Sequence, residues 1–297
     1  MKATVFKGSG VALVTPFDKS GENVNFDKLG ELLDYHVNNS TDAIILCGTT
    51  GEASTLPDEQ HMAAIEYAVE RLGGRLPLVA GTGSNDTAHA IMMTKFAQKA
   101  GADAVLCVTP YYNKTTQRGL VKHYEAIASS TDLPIILYSV PSRTGVNITP
   151  ETAKVLSQIE NIVALKEASG NISQVAKIAA LCEDRLDIYS GNDDQIVPVM
   201  SLGGIGVISV LANIAPKQTH DIVMSYLDGK IDESRKMQIE ALELIDALFC
   251  EVNPIPIKEA CNMLGFDVGS VRLPLYEMSD ENKIRLKAAL SGYGLLK

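Results

Sequence analysis

The chain has 297 residues, 46% hydrophobic and 21% charged, which suits two ordinary domains or one large barrel with a sizeable core. A formal net charge of -10 argues against nucleic acid or an anionic membrane as a partner, since either calls for a basic face. No apolar run is long enough to span a bilayer, and the first one, Gly10 to Val14, stops at Thr15-Pro16, so no signal peptide is expected.

Eight short β-rich runs recur along the chain, each ending in small or polar residues: Val11–Val14, Ala43–Cys47, Leu78–Gly81, Ala104–Thr109, Ile135–Val140, Ile162–Lys166, Leu186–Ser190 and Gly206–Val210. Segments of helical period lie between them, such as Phe26 to Val37 and Glu59 to Leu72. Strands apolar throughout and alternating with amphipathic helices predict a parallel sheet covered on its outer faces. Eight such units suit a closed (β/α)8 barrel. The competing open, doubly wound sheet is weakened because no GxGxxG follows the first strand, and Gly81-Thr82-Gly83 lacks the third glycine.

Helix boundaries carry their own signals. Thr149-Pro150-Glu151 places an N-cap before a proline at the first helical position, and Ser279-Asp280-Glu281 opens the last helix. From about Ala215 onward the pattern is helical only. The expected organisation is therefore an α/β barrel over 1–214 and C-terminal helices over 215–297 packed on it.

Five cysteines form no CxxC pair, and Cys47 and Cys107 fall inside predicted buried strands, as reduced core residues of a cytoplasmic protein would. Five histidines show neither HxxxH nor HExxH spacing, which argues against a metal site.

In a barrel of this kind the chemistry sits at the C-terminal ends of the strands. The second strand runs into Gly48-Thr49-Thr50-Gly51-Glu52, whose free amides and hydroxyls could cradle a small carboxylate or simply form a glycine-rich turn. The fourth leads into Thr109-Pro110-Tyr111-Tyr112, and the fifth contains Tyr138 and leads to Arg143. The seventh ends at Ser190-Gly191-Asn192-Asp193. Lys166 closes the sixth. A lysine there either snorkels outward or, held neutral by burial, serves as an amine nucleophile toward a carbonyl. Phenols able to move protons and an arginine able to fork onto a carboxylate share the same rim, which favours the nucleophile.

Five segments resemble the dihydrodipicolinate synthase family of pyruvate-dependent, Schiff-base-forming aldolases: GTTGE (48–52), TPYYNK (109–114), LYSVPSRTG (137–145), ALKEASGN (164–171) and NPIPIK (253–258). The resemblance runs from about Gly8 to the C-terminus with the motifs in order. It implies a (β/α)8 barrel with a helical C-terminal region, assembled as a homotetramer of two tight dimers. It also implies a lyase of lysine and diaminopimelate biosynthesis that needs no cofactor. Lys166 would condense with pyruvate, and the resulting enamine would attack aspartate semialdehyde to give 4-hydroxytetrahydrodipicolinate. Thr49, Tyr138 and Tyr112 would form a proton relay, with Tyr112 supplied across the dimer interface. Thr50 and the amides around Gly51 would hold the pyruvate carboxylate, Arg143 the carboxylate of the second substrate, and Gly191 and Ile208 would line the pocket through their carbonyls.

One departure bears on regulation. Lysine-inhibited members of the family bind lysine near the active site, and Asn85, Tyr111 and His61 stand at matching places. Ala53, Asp58 and His89 replace the usual serine, histidine and glutamate, so the lysine site is expected to be degenerate and feedback weak or absent. The rival readings are a sister aldolase, cleaving N-acetylneuraminate or a 2-keto-3-deoxy sugar acid, and a non-catalytic barrel that binds a ketoacid. Arg143 in PSRTG and the paired threonines favour the synthase over the sister aldolase, and the intact lysine and relay argue against the binder.

Overall fold

The computed structural model describes residues 2–296. Eight parallel strands close into a barrel in chain order: β1 (Gly8–Ala12), β2 (Ala43–Leu46), β3 (Leu78–Gly81), β4 (Ala104–Val108), β5 (Ile135–Ser139), β6 (Ile162–Glu167), β7 (Asp187–Ser190) and β8 (Gly206–Ser209). The outer layer begins with α1 (Phe26–Asn38), α2 (Asp58–Leu72), α3 (Thr87–Ala100) and α4 (Gln117–Ala128). It continues with α5 (Pro141–Thr144), α6 (Pro150–Leu156), α7 (Ile172–Cys182), α8 (Ile196–Met200) and α9 (Pro216–Leu227). The C-terminal helices are α10 (Ile231–Glu240), α11 (Leu242–Leu248), α12 (Ile255–Met263) and α13 (Asp280–Gly292). Both expected caps are present: Thr149 Oγ1 accepts from the Thr152 amide, and Ser279 Oγ from the Asn282 amide.

The apolar runs are two-faced. In β2, Ala43 and Ile45 fill the lumen with Val79 and Leu106, whereas Ile44 and Leu46 pack outward among helix residues such as Leu29 and Ile65. Each such side chain, fully buried, contributes about 1.5–3 kcal/mol, so both faces reinforce closure. Phe6 stacks on Tyr189 at a centroid distance of 4.4 Å, and the Tyr189 hydroxyl donates to the Phe6 carbonyl at 2.6 Å, which stoppers the lower end of the lumen. Lys2 pins the N-terminal segment by donating to the carbonyls of Ser157, Ile159 and Ile162.

The first strand starts earlier than expected, at Gly8 and not Val11, because Gly8, Ser9 and Gly10 pair with Gly206, Val207 and Ile208. Glycines there show no strand pattern in sequence, yet they are required by packing: a Cβ on Gly10 would come within 2.5 Å of Ile45 Cδ1. Leu13 and Val14, read as strand, already belong to the loop, where the Val14 amide donates to Asn213 Oδ1 at 3.0 Å.

The register of β6 contains one irregularity. Ile135 pairs with Ile162 but Ile136 pairs with Ala164, leaving Val163 as an extra residue. Ile162 faces the helices, Val163 and Ala164 both face the lumen, and Leu165 faces the helices again. The bulge thereby shifts the alternation by one, and Lys166 falls on the lumen side beside Tyr138.

Helix α9 packs on β1 and closes the outer layer after β8, while α11, α12 and α13 form a cluster beside the C-terminal rim. Among the described residues no helix is long and apolar enough to cross a membrane. All five cysteines are free, and burial pushes the Cys47 thiol up to about 12 and the Cys107 thiol up to about 11, leaving both unreactive.

Candidate active site

Two lysines are buried in the barrel and its cap, Lys166 and Lys258. They differ in what their ammonium groups touch. Lys258 Nζ donates to Glu52 Oε1 at 2.8 Å and to the Ser270 carbonyl at 2.7 Å, so its electron pair is committed. Lys166 makes no ion pair or hydrogen bond among the described residues, and its Nζ lies 4.3 Å from the centroid of the Tyr138 ring. Lys166 is 6% exposed and thus reachable from the rim, which suits an amine that must meet a carbonyl carbon.

Tyr138 is the register partner of Lys166 on β5 and is itself buried. Tyr138, Thr49 and Arg143 line a cavity of about 410 Å3 that opens at the C-terminal ends of β2 to β5. Lys166 lies next to this cavity through the Tyr138 ring and is not part of its wall. The size suits a small acid and leaves room for a second one.

The loop after β2 folds back sharply. Cys47 and Glu52 have φ of 53° and 54°, left-handed values that bracket Gly48 to Gly51. Gly51 is fixed by space, since a Cβ would stand 3.1 Å from the Cys47 backbone, and its carbonyl accepts from Thr15 Oγ1 at 2.7 Å. Thr50 is buried, and its hydroxyl accepts from Asn253 Nδ2 at 3.0 Å. Arg143 sits on the one-turn helix α5, half-tethered by a 3.2 Å bond from its guanidinium to the Asn253 carbonyl.

Across the rim, Gly191 follows β7 and its amide donates to the Glu167 carbonyl at 2.7 Å. Only glycine fits there, because a Cβ would approach Ala168 Cβ to 2.6 Å. Ile208 is buried in β8. Nearby, Asp193 Oδ2 accepts from the Val210 and Leu211 amides at 3.0 and 2.9 Å, while Oδ1 is buried without a partner. Burial pushes the Asp193 carboxyl above the usual range, with its amide bonds and the Lys166 charge pulling the other way.

The model of the dihydrodipicolinate synthetase family matches residues 5–292. The chain belongs to the dihydrodipicolinate synthetase family. It is 60% identical over 291 residues to the 4-hydroxy-tetrahydrodipicolinate synthase of Caldicellulosiruptor saccharolyticus, covering 98% of each chain. The crystal structure of dihydrodipicolinate synthase from Aquifex aeolicus superposes with a TM-score of 0.95 at 45% identity, over 98% of this chain and 99% of that one. The enzyme from Cyanidioschyzon merolae, crystallised with lysine bound, superposes with a TM-score of 0.96 at 39% identity, over 99% and 100%. The closed eight-stranded barrel expected from the sequence is thus the fold of the family.

Within one chain the expected relay is not joined. Tyr112 is 91% exposed, has φ of 68° and lies outside the cavity that Thr49 and Tyr138 share. The positions matched to the family's lysine site are divided as well. Ala53, Asp58, His61, His89 and Tyr111 line the outer part of the same cavity, whereas Asn85 lines a separate one of about 310 Å3. His89 Nε2 donates to Asp58 Oδ1 at 3.0 Å, so a carboxylate is present in this region, at Asp58. His61 donates from Nε2 to the Gly81 carbonyl at 2.9 Å, and burial holds it below the usual imidazole range.

The sequence reading did not assign roles to Asn253, Glu52, Lys258 or Arg272. The signal available was a lysine embedded among Ile255, Ile257, Ala260 and Cys261, a charge on an apolar helix face that requires a buried partner. Among the described residues no three His, Cys, Asp or Glu side chains gather as a metal cluster would.

Proposed function

We propose that this chain is a 4-hydroxy-tetrahydrodipicolinate synthase, a lyase that condenses pyruvate with aspartate semialdehyde through an imine on Lys166. The observation that carries the reading is the contrast between the two buried lysines: Lys258 is neutralised by Glu52, while Lys166 is unpaired and set against the Tyr138 phenol.

The chemistry follows from that contact. The Lys166 amine adds to the ketone carbon of pyruvate, and the carbinolamine loses water only if its hydroxyl is protonated. Tyr138, whose ring centre lies 4.3 Å from the lysine nitrogen, is the acid assigned to that step. A phenol with an ordinary pKa of about 10 needs partners to share its proton, and Thr49 on the same cavity wall is the first of them. Tyr112, exposed on its loop, completes the relay in the neighbouring subunit's site, within a homotetramer built from tight dimers. The iminium then serves as the electron sink for loss of a methyl proton, so no metal or organic cofactor takes part. Thr50 and the Gly51 amide hold the pyruvate carboxylate, Arg143 receives that of the semialdehyde, and the carbonyls of Gly191 and Ile208 face the reacting carbons.

The enzyme acts in the cytoplasm on small molecules only. Its chain divides into the barrel, 1–214, and the packed helices, 215–297, the first of which, α9, completes the barrel's outer layer. A sister aldolase would need a second-substrate pocket built for a polyol chain. The short Arg143 turn, anchored on Asn253, favours a small carboxylate instead.

The test is turnover of pyruvate plus aspartate semialdehyde, coupled to the downstream reductase, with N-acetylneuraminate offered to the same preparation. Borohydride should trap pyruvate on Lys166, and Lys166→Ala should lose nearly all turnover while keeping its fold. Substantial activity in that variant, or cleavage of N-acetylneuraminate at a comparable rate, sinks the assignment.

A further inference from the structure

The C-terminal helices reach into the substrate loop through a buried charge cluster. Glu52 ends the Gly48–Glu52 loop in a left-handed conformation and is buried. Its Oε1 accepts from Lys258 Nζ at 2.8 Å, and its Oε2 accepts from the Arg272 amide at 2.8 Å. Lys258 on α12 has a side chain only 2% exposed, and Glu52 one only 1% exposed. The Lys258 ammonium also lies 4.0 Å from the centroid of the Phe17 ring, which the Arg272 guanidinium approaches to 3.9 Å. One turn before Lys258, Asn253 donates to the Thr50 hydroxyl. Two of the loop's last three residues are therefore held from the C-terminal region, and the third, Gly51, by Thr15.

A buried ion pair is a poor source of net stability, because desolvation cancels most of the attraction, but it fixes geometry strictly. Burial draws the Lys258 ammonium below its ordinary range, against the pull of Glu52. An apolar pair of similar volume would fill the same space. What it would not supply is a carboxylate with both oxygens directed, one to the α12 ammonium and one to the Arg272 amide. We propose that Glu52 and Lys258 are positioning residues for pyruvate: their pair sets the curvature of the loop, so that the Thr50 hydroxyl and Gly51 amide meet the substrate carboxylate. This rests on the reading of that loop as the carboxylate cradle.

The test compares the full-length enzyme with Glu52→Gln and with the charge-free double variant Glu52→Gln/Lys258→Met, which leaves no unpaired charge if the single variant fails to fold. Two readouts are taken: pyruvate dependence of turnover and of borohydride trapping, and hydrogen exchange of the amides from Gly48 to Ala53. The expected result is a pyruvate KM raised tenfold or more, with kcat and the KM for the aldehyde within about threefold of the parent. Amide exchange in the loop should accelerate by a similar factor, and the rest of the barrel should be unchanged. A folded double variant with the parent's pyruvate KM and loop exchange overturns the proposal, as does a fall in kcat that tracks lost folded protein with KM constant. If the parent itself traps no pyruvate, the functional reading fails, and unchanged loop exchange in the variants would separately reject the positioning role.

Discussion

Tyr138 and Lys166 are register partners on adjacent strands, and the lysine ammonium lies 4.3 Å from the centre of the phenol ring. Two neighbouring strands thus deliver an amine and an acid to one point with no loop between them, which limits how far either can stray. The ring shields one side of the amine from water, while the hydroxyl is the group that can move a proton.

Those two contributions can be separated. Tyr138→Phe keeps the ring and its packing and removes only the hydroxyl. Turnover is expected to fall by roughly 100- to 10,000-fold, the usual range for a lost general acid, with the melting temperature little changed. Pre-steady-state borohydride trapping should show slower imine formation at saturating pyruvate. Imine formation at the parent rate would assign the proton transfer to another group.

Regulation is open to a direct measurement. Asp58 engages His89 at the outer end of the cavity, so a ligand ammonium there must compete with an imidazole already hydrogen-bonded to that carboxylate. Initial rates should be unaffected by lysine up to millimolar levels. His89→Glu removes that imidazole and adds a second acceptor carboxylate beside Asp58, and is expected to introduce measurable inhibition. Strong inhibition of the parent enzyme would reject the degenerate-site reading.

Acid stability has an identifiable contributor in α1. His36 is fully buried, its Nδ1 bonds Thr41 Oγ1 at 2.8 Å, and burial pushes its pKa down to about 3. In the unfolded chain the same imidazole titrates near 6.5. Below that value the unfolded state takes up a proton that the folded state refuses. Stability from this group is therefore intact above about pH 6.5 and is lost as the pH falls toward 3, at up to about 1.4 kcal/mol per pH unit. Urea unfolding at pH 7.5, 6 and 5 should show a steeper decline for the parent than for His36→Phe. Parallel slopes would remove His36 from the account.

Much of this architecture can be read from the chain. Eight apolar runs, their polar ends and the caps at Thr149 and Ser279 specify a barrel and its helices, because burial and capping act locally. Strand ends are less legible: Gly8 and Gly10 carry no side chain to mark β1, although a Cβ would meet the Asp42 carboxylate at the first and Ile45 and Phe6 of the lumen at the second. Partners distant in sequence are less legible still. Nothing near Glu52 announces that its carboxylate is met by Lys258, nor that Asn253 holds both Thr50 and Arg143. Tyr112 shows the converse limit, since a single chain leaves it in solvent whatever its role in an assembly.

The extra residue at Val163 makes the address of the nucleophile a matter of counting. In Ile162-Val163-Ala164-Leu165 every side chain is apolar, so composition cannot distinguish one face from the other. Odd and even exchange places at that point. A strand of the same length that kept regular pairing from Ile162 would turn the amine into the helix layer and Leu165 into the lumen, whereas loss of Val163 would leave Lys166 opposite Tyr138. The pairing after the bulge, and not the alternation counted from Ile162, decides which face carries the amine, so a lysine in register with Tyr138 is a sharper criterion for activity here than a lysine at the end of an apolar run.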